Sequence, residues 1–429
     1  MPLNSLDHPV PATAPRTSAC PGLMRVVPAR DGGLARLRLT GGALSADAAR
    51  AVARAARECG SGVIEVTNRA NLQLRGIRAD AHARLVDIAS AAGLAPATES
   101  ADDIRNLMLS PLASDATRTL AADLIAAMQA DAALYALSPK FALQLDGGEQ
   151  LAMLDHPHDV WLAALDGGAR FAFGLAGTIP RHQHDAPALG VIPRNDVVPF
   201  VTGVLRRFLA LAQPDEHRMR DLLARAGTHA LAFPETETAL HSWRRASSDA
   251  TRRLGAHADT NTKTNAYAGA QAPLGRLDAA TLDALAALST TYASGRLAMT
   301  PWQSVLIPDL APHAAHDVLR ELRALGLATE PRDPFARLIA CAGSAGCAKS
   351  RADTKADAQR LAPLLPAHAL TQVHLSGCER SCAAAHPVEA TLLARTPGHY
   401  DLYRGEHLAA CNLTIEEAAE RLARSTTDA

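Results

Sequence analysis

Gly41-Gly42-Ala43-Leu44-Ser45 opens a unit that the chain uses twice. From it an Ala-rich run with helical period leads to Cys59, Gly60 stops the helix, and a strand pattern extends from Val63 to Ile77. A second helix, roughly Ala81 to Ala92, ends at Gly93-Leu94-Ala95. The same order returns at Pro273-Leu274-Gly275-Arg276-Leu277, with a helical run Ala279 to Leu288 and a strand pattern Arg296 to Ile307. Its second helix, roughly Ala315 to Leu325, closes at Gly326-Leu327-Ala328. A repeat decides the architecture before any motif is read. Each copy reads strand, helix, strand, helix and has an open sheet to bury, and its natural partner is the other copy.

Each half-unit precedes a larger segment, so the chain reads as an α+β tandem duplication with a pseudo-two-fold. The expected divisions are a frayed N-terminus at 1–19, half-domain 1 at 20–99, a larger domain at 100–246, a linker at 247–271, half-domain 2 at 272–331 and a second larger domain at 332–425. The linker assignment rests on a stretch rich in Ala, Thr, Asn, Gly and Asp without apolar period, which reads as surface chain.

Composition narrows the function classes. With 429 residues, 48% hydrophobic and 20% charged, the chain can build sizeable cores and is neither disordered nor fibrous. Its 43 basic and 44 acidic side chains leave no global field for nucleic acid or an anionic membrane. Trp 3, Tyr 5 and Phe 7 are too few for repeated base-stacking platforms. No window reaches the roughly 20 apolar residues of a membrane span. The opening stretch, broken by Pro2, Pro9, Pro11 and Pro15, has no apolar core of a secretory signal, so a cytoplasmic location is expected.

Seven cysteines are an odd number for a disulfide framework, and four of them fall into two close pairs. Cys341 and Cys347 form C-x5-C, and Cys378 and Cys382 form C-x3-C. Four thiolates on two Gly- and Ser-containing loops suit a [4Fe–4S] cube, whose irons each need one soft ligand and whose charge attracts loop N–H groups. A four-cysteine zinc site is the alternative, although its loops typically hold about two to four intervening residues. Cys20, Cys59 and Cys411 have no spacing partners, and Cys59 reads as a small buried hydrophobe.

The stretch Thr67 to Ile77 alternates, so Arg69, Asn71, Gln73 and Arg75 share one strongly hydrogen-bonding face of the predicted strand. Such a face is also what a solvated outer strand presents. Arg105-Asn106 and Ser138-Pro139-Lys140-Phe141 follow. Lysine is scarce, occurring only at 140, 263, 349 and 355, which makes Lys140 beside Pro and Phe less random than another Arg. Arg forks bind carboxylates bidentately and Lys adds a point charge, so this set could hold a polycarboxylate.

In combination, the duplicated half-domain, the T-x-R…Q strand and C-x5-C…C-x3-C resemble the sulfite and nitrite reductase superfamily over nearly the whole chain. The resemblance implies ferredoxin-like half-domains, each followed by a sirohaem/[4Fe–4S]-type domain. It implies tetrapyrrole-carboxylate binding for Arg69, Arg105 and Lys140, to which the alternating face adds Asn71, Gln73 and Arg75. It also implies that Cys341, Cys347, Cys378 and Cys382 hold the cluster, with Cys382 bridging to a haem iron in the sirohaem enzymes.

The sequence departs from the reductases in two places. Their K-F-K is Lys140-Phe141-Ala142 here, and their Pro-Asn inside C-x3-C is Glu379-Arg380. The opening Ala19-Cys20-Pro21-Gly22-Leu23, the Asp31-Gly32 pair and Ser376-Gly377-Cys378 resemble the precorrin-3B synthase branch, where the tetrapyrrole is substrate. That resemblance implies a monooxygenase of cobalamin biosynthesis acting on precorrin-3A and O2. It further implies a [4Fe–4S] cluster, a non-haem iron and NADH as ultimate electron donor. The alternative is a sirohaem-dependent sulfite or nitrite reductase. Iron of this kind wants His and carboxylate ligands. The sequence offers Asp155-His156-Pro157-His158-Asp159, His182-Gln183-His184-Asp185, His374 and His386, and leaves the iron ligands and the catalytic residues open.

Overall fold

A computed structural model describes residues 20–231, 240, 242–262, 264–366 and 372–424. The half-domain helices begin where the side chains cap them. Ser45 accepts the Ala48 N–H at the start of Ala46–Cys59, and Asp278 accepts the Thr281 N–H at the start of Ala279–Tyr292. These equivalents lie 233 residues apart, and the same offset carries Ala43–Ser45 onto Arg276–Asp278, Val63–Val66 onto Arg296–Met299 and His82–Ala91 onto Ala315–Ala324.

The copies complete each other's sheets. Sheet one runs Val27–Ala29, Gly32–Leu37, Leu72–Ile77, Val63–Val66 and then Arg276–Asp278 from the second copy. Sheet two runs Gly255–Ala258, Ala266–Gln271, Ser304–Leu310, Arg296–Met299 and then Ala43–Ser45 from the first. The exchanged strands pair antiparallel, Leu277 opposite Ile64 and Leu297 opposite Leu44. One continuous apolar core spans both halves, with the two long helices packed together. Gly42 marks the closest approach: a Cβ there would meet the Met299 carbonyl oxygen at 2.1 Å, and its φ of 75° suits glycine.

Two corrections follow. The expected linker 247–271 contains Gly255–Ala258 and the fully buried strand Ala266–Gln271, which pairs with Ser304–Leu310. Ala and Gly form a strand there because its neighbours bury it, not because of intrinsic preference. The strand pattern Val63 to Ile77 is a hairpin: the Thr67 N–H donates to the Asn71 carbonyl, the Thr67 hydroxyl accepts the Asn71 N–H at 3.1 Å, and Ala70 has φ 56°. Arg69 thus sits on a turn, not on the face of Gln73 and Arg75. The second copy repeats this turn, with Thr300 accepting from Ser304 and Gln303 at φ 62°.

The larger domains are also alike. Each has a five-stranded sheet whose strands follow chain order, two parallel pairings then two antiparallel: Leu107–Met108, Leu143–Asp146, His158–Leu165, Arg170–Gly177, Gly190–Pro193, and Leu338–Ala340, Val373–Ser376, Ala390–Thr396, His399–Arg404, His407–Leu413. Each has its own core. Among the described residues no helix is long and apolar enough to cross a membrane.

Candidate tetrapyrrole and cluster site

The first copy presents its Thr67–Asn71 turn to a small cavity lined by Arg69, Asn71, Arg105, Asn106, Ala142 and His158, among others. Arg38 anchors the surroundings. Its buried guanidinium reaches Asp102 at 2.7 Å and Asp103 at 3.1 Å, and its Nε donates to Asn106 Oδ1. The Asn106 amide in turn donates to the carbonyls of Pro139 (2.7 Å) and Phe141 (3.2 Å), which fixes the backbone on either side of Lys140. Phe141 packs on Phe208 in the core, and the Ala142 N–H donates to Asp159, which also binds Arg218. Lys140 itself is exposed.

The electrostatics are lopsided. Arg69 makes no ion pair among the described residues; burial, then the charges of Arg218 and Arg38, hold its pKa below the usual value. Arg36 is lowered to about 10 by burial and by the charges of Arg38 and Arg69, and its one partner of note is the Gln73 side-chain oxygen at 2.7 Å, once that amide is turned to face it. Burial and the charge of Arg69 drop His158 to about 3, so its ring is neutral. Neither guanidinium forms an ion pair among the described residues, although the Asp102 carboxylate lies near Arg36 and that of Asp159 near Arg69, and such a pair of charges suits an anionic group.

Of the six residues expected at the carboxylates, the turn gathers Arg69 and Asn71 beside Arg105. Asn71 Oδ1 accepts the Leu39 N–H, and Arg105 donates to Asp102 at 2.8 Å, so both mainly shape the wall. Gln73 serves Arg36. Arg75 is elsewhere: it binds Asp31 at 2.6 Å, Glu65 at 3.2 Å and the Gly346 carbonyl at 3.1 Å, inside the C-x5-C loop. Its donors are nearly used up, which corrects its assignment to the tetrapyrrole. Sequence reasoning missed Arg36 and Arg38; the signal was Arg36-Leu37-Arg38 running into Gly41-Gly42, charge placed in a strand with a buried core face.

The four cysteines converge from two loops. Cys341 Sγ accepts the Gly377 N–H at 3.3 Å and lies 3.3 Å from Thr354 Oγ1. Cys382 is exposed as a residue, yet its thiol is pushed up by partial burial and by the nearby thiols of Cys378, Cys341 and Cys347. Its carbonyl accepts the Asn68 side-chain N–H at 3.3 Å, joining the C-x3-C loop to the Thr67–Asn71 turn. Gly377 and Gly346 keep the loops close, since a Cβ would meet Ser350 Oγ at 1.8 Å or Arg75 Nη2 at 2.4 Å. Soft donors, an N–H aimed at sulfur and side-chain-free backbone fit an iron–sulfur cluster. Behind them, burial pushes the Glu65 carboxyl up, but Lys355, Arg75 and Arg276 outweigh it and hold it below the usual range.

Of the histidine candidates, His156 and His386 meet, with ring centroids 5.0 Å apart. His182 and His184 stack on an exposed loop, and His374 is buried in its strand. Among the described residues no group of three or more His, Cys, Asp or Glu side chains, the four cysteines included, is drawn together tightly enough to hold a single metal ion.

The nitrite/sulfite reductase ferredoxin-like half domain matches residues 27–92 and 257–325, and the nitrite and sulphite reductase 4Fe-4S domain matches 100–232. A precorrin-3B synthase from Sinorhizobium sp is 30% identical over 390 residues, 90% of this chain and 82% of that protein. The ferredoxin–nitrite reductase of Synechococcus elongatus is 27% identical, covering 84% of this chain and 76% of its own. In fold, the chain resembles the Mycobacterium tuberculosis NirA protein, with a TM-score of 0.74 and 20% identity over 92% of this chain and 80% of that one.

Proposed function

We propose that this chain, which belongs to the nitrite/sulfite reductase superfamily of iron–sulfur oxidoreductases, is a precorrin-3B synthase. The reaction is the hydroxylation of precorrin-3A at C20, with an acetate side chain closing a γ-lactone. One atom of O2 enters the ring and the other leaves as water, with two electrons from NADH and two protons completing the balance. The observation that carries the reading is the under-neutralised pair Arg36 and Arg69, beside a wall held by Arg38 and Asn106. A carboxylate-rich ring supplies the missing charge. The reductases' second lysine of K-F-K is Ala142, which leaves one basic group fewer for an inorganic oxyanion.

On this reading Arg69 and Arg36 bind and orient peripheral carboxylates, Lys140 adds a charge at the rim, and Asn106 holds its backbone in place. Cys341, Cys347, Cys378 and Cys382 hold a [4Fe–4S] cluster, and a mononuclear non-haem iron completes the cofactors. Bound there, these groups supply one-electron transfer and oxygen chemistry. Neutral His158 lines the ring cavity without adding charge. The protein works in the cytoplasm with a separate NADH-linked electron donor.

The test is an anaerobic absorption spectrum of purified protein with iron and sulfide analysis, followed by incubation with precorrin-3A, O2 and NADH. A cluster shoulder without sharp haem bands, and a product heavier by one oxygen atom, is expected. Sharp sirohaem bands with reduction of nitrite or sulfite would overturn the reading.

A further inference from the structure

The two larger domains share their register as well as their strand order. Leu143 pairs with Val160 in the first and Val373 with Ala390 in the second, so each residue of these strands has its equivalent 230 positions on. The loops between the strands match too: Glu149 stands against Glu379, and His156-Pro157 against His386-Pro387. One face of each sheet carries the domain core, through Val160 and Leu162 in the first and Ala390 and Leu392 in the second. Alternation turns Trp161 and Ala163, with their equivalents Thr391 and Leu393, to the other face.

The two domains treat that other face differently. In the first, the row across the sheet is Gln144, Trp161 and Gly174, and the indole lies over Gly174, where a Cβ would meet it at 2.1 Å. Trp161 is 3% exposed and packs among Ala152, Leu154, Ile179 and Ala188, the last two from the chain between Arg170–Gly177 and Gly190–Pro193. The Gln144 amide donates to the Met153 carbonyl at 2.6 Å. In the second, the row is His374, Thr391 and Tyr403. Only Gly405 and Glu406 separate His399–Arg404 from His407–Leu413, so this hairpin returns no cover of that kind. A cleft of about 480 Å³ opens over the three residues instead, bordered by Glu379 and Ser381 of the C-x3-C loop and by Glu406 of the hairpin.

A space of this size takes an organic molecule rather than an ion or a few waters. Its twin shows the shape, because a flat indole lying on the sheet fills the equivalent place in the first domain. The row of three strands is about 10 Å wide, twice the spacing between neighbours, which a tricyclic ring system spans and a single ring does not. The floor supplies the polar contact: His374 is 1% exposed and its Nε2 has no hydrogen-bond partner. Burial keeps that imidazole neutral, so it offers one hydrogen bond and no charge. No Lys or Arg is among the residues lining the cleft, and its two carboxylates, Glu379 and Glu406, repel a phosphate tail. We propose that this cleft binds an uncharged planar heteroaromatic ring, the isoalloxazine of a flavin, lying on the sheet across Thr391 with its hydrogen-bonding edge on His374. Such a ring rests against the loop that carries Cys378 and Cys382, the place from which an electron carrier reaches them. The site needs neither the tetrapyrrole nor its turn.

The test is equilibrium dialysis of riboflavin against the full-length, cluster-loaded protein, with free flavin read by its fluorescence. The wild type should take up one riboflavin per chain saturably, and FMN should bind no more tightly. Thr391→Trp, which restores the indole of the first domain, should weaken riboflavin at least about tenfold while keeping the cluster absorbance and the urea midpoint. His374→Ala should weaken it about two- to tenfold, the loss of one hydrogen bond, and the exposed-loop control His182→Ala should bind like the wild type. Wild type that takes up no riboflavin, or Thr391→Trp and His374→Ala that bind it unchanged, overturns the proposal, as does NADH uptake in its place that Thr391→Trp blocks. A polycarboxylate porphyrin should bind wild type and Thr391→Trp alike and leave riboflavin in place. Riboflavin displaced by the porphyrin would overturn a separate cleft, whereas riboflavin uptake without porphyrin binding would overturn the tetrapyrrole reading alone.

Discussion

Replacing Arg69 by Gln separates the cost of a charged site from its use. In the ligand-free protein this guanidinium is partly buried, carries no ion pair among the described residues, and faces the like charges of Arg218 and Arg38. Removing it relieves a charge that only the Asp159 carboxylate, already paired with Arg218, partly offsets, a gain on the order of 1 kcal/mol. The urea midpoint of cluster-loaded, tetrapyrrole-free Arg69→Gln should therefore rise, or the melting temperature climb by about 2 °C. Binding should move the other way. A charge-assisted hydrogen bond to a carboxylate contributes about 1.5–3 kcal/mol, so affinity for a polycarboxylate porphyrin should fall roughly ten- to 150-fold. Fluorescence titration of the porphyrin measures the second effect on the same samples. A variant that loses stability in step with lost packing, or that binds the porphyrin unchanged, would refute the argument that Arg69 waits for an anion.

Glu65→Gln leaves Arg75, Arg276 and Lys355 around a neutral amide, and should cost about 3–5 kcal/mol in urea unfolding. Adding Lys355→Met should recover part of that loss. Gly377→Ala forces a Cβ onto Ser350 Oγ and moves the N–H that serves Cys341, so iron and labile sulfide should fall together and stability drop by about 1–3 kcal/mol. His374 is held neutral by burial, with its pKa lowered to about 4 from 6.5. Because the unfolded chain takes up the proton first, this contribution is complete above about pH 6.5 and shrinks as pH falls toward 4, by on the order of 1 kcal/mol at pH 5.5. His374→Leu should flatten that part of the stability profile, measured by unfolding between pH 5 and 7.5.

The duplication was legible because two helices and two glycine-closed ends recur with their caps, and the cysteine pairs because their spacing survives any loop shape. The strand Ala266–Gln271 was not, since Ala-Tyr-Ala-Gly-Ala-Gln has little strand preference and is held by its neighbours. Arg69 to Arg75 read as one face because alternation cannot reveal that Thr67 closes a turn and Ala70 takes a left-handed conformation. Arg75 then falls under the cluster loop, where only tertiary packing brings Gly346. The pairing of His156 with His386 spans 230 positions and two domains, a distance over which no periodicity speaks.

The exchanged strands carry a historical consequence. Neither half can finish its sheet alone, since Ala43–Ser45 belongs to the second sheet and Arg276–Asp278 to the first. Fusing the two protomers of a homodimer that trades an edge strand would give this wiring. The two turns no longer match: at the same offset of 233 residues, Arg38 and Arg69 of the first copy stand against Gln271 and Trp302 of the second. The two halves, cut apart between their domains and made as separate polypeptides, should assemble with each other rather than fold singly.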